Sequence, residues 1–160
     1  MLVAAAVLTG QLSVGWANDA RDAARDRRAS RGRKPVVRGM ITARQLWWAA
    51  GVAALACVPL SLLAGGLLGG GCHLLAVASA WSYDLVLKTT SLSFLPYVVS
   101  FGLVPPFLTY GLDPPRPPAW WGVVAFALLG LGAHLANGVP DVEGDRAVGA
   151  GGLVARLGPD

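Results

Sequence analysis

Two stretches of this chain carry oxygen-bearing side chains at intervals of four. Asn18 to Asp26 reads NDARDAARD and Asn137 to Asp145 reads NGVPDVEGD, so the arrangement N-x-x-x-D-x-x-x-D occurs twice, 119 positions apart. Residues four apart on a helix lie one above another, which predicts one face for Asn18, Asp22 and Asp26 and another for Asn137, Asp141 and Asp145. Two carboxylates in such a ladder repel unless a cation lies between them, and stacked hard oxygens suit Mg²⁺ better than a soft metal. Cations held by Asp22, Asp26, Asp141 and Asp145 keep open positions that phosphate oxygens commonly fill. A neighbouring Lys or Arg would then stabilise a departing diphosphate as charge develops on it. Lys88, and Arg146 directly after Asp145, each fall within a few residues of an expected helix end.

The elements that must position these groups are apolar. The chain is 54% hydrophobic and 14% charged, with a mean hydropathy of +0.55, a membrane composition rather than a soluble one. A bilayer core of about 30 Å needs roughly 20 helical residues. Five stretches suffice: Met1 to Ala17, Leu46 to Leu63, Leu67 to Tyr83, Leu92 to Leu112, and Ala119 to Val139. The first lacks the basic start of a signal peptide and reads as a membrane helix. Gly65-Gly66 and Gly69-Gly70-Gly71 predict a tight turn between the second and third. The proline-rich run Asp113 to Pro118 predicts a loop before Trp120-Trp121, an aromatic pair suited to the membrane interface. Cys57 and Cys72 have no metal-binding spacing around them and read as core residues.

With five spans, the loops after the first, third and fifth share one side of the membrane. That group holds every Lys and Arg except Arg116, including the basic loop 19–45, Lys88, Arg146 and Arg156. The positive-inside rule makes this side cytoplasmic and brings both ladders to one compartment. For most residues of the basic loop, topogenic charge and attraction to anionic lipid account for the composition, and no nucleic-acid partner is expected. His134, one turn before Asn137, and His73 read as hydrogen-bonded packing residues rather than bases; Trp81 and Tyr83 could line a cavity, but aromatic residues near a helix end are usually interface anchors.

These residues resemble the UbiA-type intramembrane prenyltransferases. The first signature of that family, NDxxDxxxD, is present as Asn18, Asp19, Asp22 and Asp26. It is followed by Lys34-Pro35 and Arg38-Gly39, which match the family's basic loop. Asp141 and Asp145 match its DxxxD signature, and SYDLVLK, ending at Lys88, resembles its Tyr-and-Lys stretch. The resemblance covers roughly residues 12 to 157. It implies an all-α membrane protein, a nine-helix bundle around a central cavity, in which the aspartate motifs bind Mg²⁺ and a polyprenyl diphosphate. Asn18, Asp19, Asn137, Lys88 and Arg146 would bind the diphosphate, and the partner would be an aromatic or other lipophilic acceptor. The five spans look like the family's second to sixth helices, so the expectation is a single, incomplete domain over residues 1 to 160, and a non-catalytic fragment is the competing reading.

Two other classes fit less well. A CDP-alcohol phosphotransferase uses one compact motif with glycine where Ala23 stands, not two ladders far apart. A cation transporter would place its acids near the membrane midplane, whereas these fall at helix ends.

Overall fold

A computed structural model describes residues 1–28, 34–139, 142 and 152–157. Among these residues every regular element is helical: α1 (Leu2–Arg28), α2 (Ala43–Leu85), a 3₁₀ turn (Leu87–Thr89), α3 (Leu95–Gly102), α4 (Val104–Tyr110), α5 (Trp120–Gly138) and a short α6 (Leu153–Leu157).

The packing follows from small residues. Ala6, Gly10, Ser13, Ala17 and Ala20 recur at three- and four-residue intervals on α1 and are all buried. They face a similar stripe on α2, formed by Leu46, Ala50, Ala53, Cys57, Ser61 and Gly65. Short side chains let two helices approach closely, which is how helices associate where the surroundings are as apolar as leucine. The outside is the reverse, with Leu55, Leu67, Leu68 and Leu128 exposed while the largest fully buried side chains include Ser13, Ser61 and Ser93. Large apolar groups outside and small or polar ones inside suit a lipid environment.

α2 begins at a capping box. Thr42 Oγ1 accepts from the Gln45 amide at 3.2 Å and the Thr42 amide donates to Gln45 Oε1 at 2.9 Å. It then reverses direction at Gly66, whose φ of +62° is open to glycine without steric cost. The reversal is visible in the contacts: Ser61 Oγ and His73 Nδ1 are 2.8 Å apart although twelve residues separate them, a distance of about 18 Å along an unbroken helix. α2 is therefore a helical hairpin with arms 43–65 and 67–85, as the glycine-rich turn predicts. A Cβ on Gly10 would lie 2.8 Å from Val77 Cγ2 and 3.4 Å from Cys57 Sγ, so α1 is seated against both arms.

Several expected boundaries move. By length and apolarity two helices qualify as membrane spans, Ala43–Leu85 and Trp120–Gly138, against the five expected. Three physical reasons account for the difference. The hairpin arms form one continuous element, and α1 combines an apolar start with the polar ladder. The stretch expected as one span over 92–112 is broken at Leu103 ahead of Pro105-Pro106, leaving the shorter pair α3 and α4. The basic loop expected over 19–45 is also shorter, because α1 runs through the first ladder to Arg28 and α2 starts at Ala43. Cys57 is buried as expected; Cys72 is only partly so.

Candidate functional site

α1 carries the first ladder to one end of the bundle, where other segments meet it. Trp81 Nε1 donates to Ser13 Oγ at 3.1 Å. Further along both segments, Lys88, three residues past the end of α2, donates from Nζ to Asn18 Oδ1 at 2.9 Å and to Asp22 Oδ2 at 2.5 Å. These pairings run in the same order, so α1 and the arm 67–85 lie parallel. The 3₁₀ turn at their end then aims Lys88 back at the ladder.

The segment after α1 folds under its end. Val36 is fully buried with Ala20, Ala23 and Leu46, and the turn that closes at Gly39, with φ +75°, holds this segment in place. Lys34 is thereby delivered to the acids, its Nζ 2.7 Å from Asp19 Oδ1 and 2.8 Å from Asp26 Oδ2. Burial lowers the pKa of this ammonium, but the hydrogen bonds and charges of Asp19 and Asp26 outweigh burial and hold it above its ordinary value of 10.5.

The expected single face for Asn18, Asp22 and Asp26 is thus divided. At 100° per residue, Asp26 is rotated about 80° from Asn18 but only about 20° from Asp19. Asn18 and Asp22 share Lys88, and Asp19 and Asp26 share Lys34; Asp22 also pairs with Arg25 at 3.0 Å. Asp22 and Asp26 are both buried.

Beside this cluster lies a cavity of about 400 Å³ lined by Gln11, Asn18, Tyr83, Asp84, Lys88 and Asn137, among others. Asn18 and Asn137, the first residues of the two ladders, therefore border one space. A second, more apolar cavity of about 300 Å³ includes Val7, Phe101, Val104 and Phe107. The two have Gln11, Val14, Ala80 and Ser100 in common, so the polar chamber adjoins the apolar one. Asp141, Asp145 and Arg146 lie outside the described residues.

Of the two roles open to Tyr83, interface anchor and cavity lining, the fold shows the second: it stands in the cavity wall, packed edge-on against Tyr97 at 5.2 Å. Trp81 anchors α2 to α1. His134 is buried, its Nε2 3.2 Å from Ser93 Oγ, and His73 is buried against Ser61, so both are hydrogen-bonded packing residues. Sequence reasoning did not single out Asp84, Lys34 or Gln11 as site residues. An acid and an amide inside apolar runs were the signals for Asp84 and Gln11, and Lys-Pro within the basic loop was the signal for Lys34.

The donor set suits a hard divalent cation, since the ladder offers amide and carboxylate oxygens. Among the described residues no three His, Cys, Asp or Glu side chains converge as a ready-made cage. Magnesium needs none, because it is commonly held by one or two carboxylates with water and substrate phosphates completing its shell. Comparison with curated proteins and with solved structures yields no match. The model of one family, the UbiA prenyltransferase family, matches residues 1–160.

Proposed function

Since the chain belongs to the UbiA prenyltransferase family, a membrane-embedded transferase family, we propose that it moves a prenyl group from a polyprenyl diphosphate to an aromatic or other electron-rich lipophilic acceptor, with Mg²⁺. The observation that carries this reading is the shared cavity: Asn18 and Asn137 both line it, and so does Lys88, which is bonded to Asn18 and Asp22.

Asn18, Asp22 and Asp26 from the first ladder, with Asp19 beside them, would hold the cation together with Asn137, Asp141 and Asp145 from the second. Bound Mg²⁺ supplies charge neutralisation for the diphosphate. Lys88 and Arg146 take up the negative charge that develops on the leaving group as its bond to the allylic carbon breaks. The adjoining apolar cavity receives the isoprenoid chain and keeps water away from the allylic cation, which the acceptor then captures. The hairpin arms, α1, the broken α3–α4 pair and α5 supply five passes in this reading, with both ladders on the cytoplasmic side.

The test is transfer of radiolabelled prenyl diphosphate by membranes containing the chain. Asp22→Ala and Asp141→Ala should each abolish Mg²⁺-dependent transfer, and retained activity in either would refute the assigned role.

A further inference from the structure

The cavity holds one acid that neither ladder contains. Asp84, near the end of the second arm of α2, is 4% exposed, and it lines the same chamber as Asn18 and Lys88. Its Oδ2 is buried and makes no hydrogen bond among the described residues. A buried carboxylate oxygen without a partner is costly and calls for a cation or a donor. Lys88 and Asp22 are both near enough to act on Asp84 electrostatically. The Lys88 ammonium, however, is committed to Asn18 and Asp22.

A contact between the two helices places this residue. Ser13 and Trp81 meet through a hydrogen bond between their side chains. Asp84 is three residues past Trp81 and Asn18 five past Ser13, so both stand on the ladder side of that contact on neighbouring helices. An amide side chain and a carboxyl side chain thus line one chamber from two parallel helices.

We propose that Asp84 is a divalent-cation ligand, pairing with Asn18 to form a hard-oxygen subsite on the membrane side of the first ladder, with the diphosphate oxygens completing the shell. This rests on the diphosphate reading above and adds to it a carboxylate from α2. One carboxylate and one amide are within what magnesium requires when phosphate and water supply the rest.

Mn²⁺ binding to the purified chain in detergent, followed by electron paramagnetic resonance with and without inorganic diphosphate, provides the test. Asp84→Asn should weaken Mn²⁺ binding by about tenfold or more, and Asp84→Glu should recover part of it. Asp84→Cys should exchange the preference, giving a Cd²⁺–thiolate absorption above the background that Cys57 and Cys72 give in the unaltered chain; a purely structural role for Asp84 would not produce that band. Unchanged Mn²⁺ binding in Asp84→Asn overturns the proposal, and so does the absence of a new Cd²⁺ band in a folded Asp84→Cys. If Asp22→Asn loses Mn²⁺ while Asp84→Asn keeps it, the proposed function stands and the role of Asp84 falls. If the unaltered chain binds no Mn²⁺ in the presence of diphosphate, both fall.

Discussion

Lys88 Nζ lies 2.5 Å from Asp22 Oδ2, joining residues 66 positions apart. The contact ties the turn after the hairpin to the first ladder and holds the Lys88 ammonium beside the cavity it lines. Lys88→Met should therefore weaken binding of a non-reactive prenyl thiolodiphosphate by about tenfold or more, equivalent to about 1.4 kcal/mol. Lys88→Arg, which keeps the charge but changes its shape, should lose less. Isothermal titration in detergent reads both; equal affinities across the three proteins would remove Lys88 from the diphosphate site.

Lys34 makes a prediction about alkali. Its pKa is raised in the folded chain, so its ion pairs with Asp19 and Asp26 contribute fully below the unfolded value and are lost as pH climbs through the folded one. Melting temperature should show no loss from this source between neutrality and about pH 10, the range below an ordinary lysine pKa, and should decline beyond it. In Lys34→Met the protein should be less stable at neutral pH, and that alkaline component should disappear.

Close backbone approach makes Gly70 irreplaceable. A Cβ there would stand 2.6 Å from Ser61 O and 2.8 Å from Leu62 Cα, backbone atoms that cannot swing aside. Gly70→Ala should cost on the order of 1 to 3 kcal/mol. At Gly71 a Cβ meets nothing within 4 Å, so Gly71→Ala should be neutral or stabilising by up to about 1 kcal/mol. Thermal unfolding in one detergent compares the two directly.

The hairpin is held shut by Ser61, which donates to Cys57 O at 2.6 Å and lies 2.8 Å from His73 Nδ1. Ser61→Ala should cost about 0.5 to 1.5 kcal/mol, with cation and diphosphate binding unaltered, because the pair is remote from the ladder. A change in Mn²⁺ affinity in this variant would mean the hairpin and the site are coupled.

The helical architecture was legible because composition and punctuation announce it: glycines at 65 and 66 mark the reversal, and Asp113 to Pro118 marks the loop before α5. Both ladders were legible as spelling, and charge placement assigned them to one side of the membrane; that Asn18 and Asn137 line one cavity emerges only from the fold. The division of the first ladder was not, because it depends on which cation reaches which acid. Lys34 arrives only because Val36 is buried beneath α1, and Lys88 only because a 3₁₀ turn redirects the chain. Both are tertiary events with no periodic signature. The break at Leu103 was readable from Pro105-Pro106, but a continuous apolar run over 92–112 outweighed it. Asp84 was hidden inside a stretch noticed for its Tyr and Lys.

The small-residue seam between α1 and the hairpin bears on how such a chain can change over generations. Its outward leucines and valines meet lipid, which does not distinguish one aliphatic shape from another, so that surface is free to drift. The seam at Ala6, Gly10, Ser13 and Ala17 is buried, and a Cβ at Gly10 would already stand 2.8 Å from Val77 Cγ2, so it should tolerate almost no enlargement. Distant kin would then differ most where the side chains are largest, and remain recognisable by their alanines, glycines and serines.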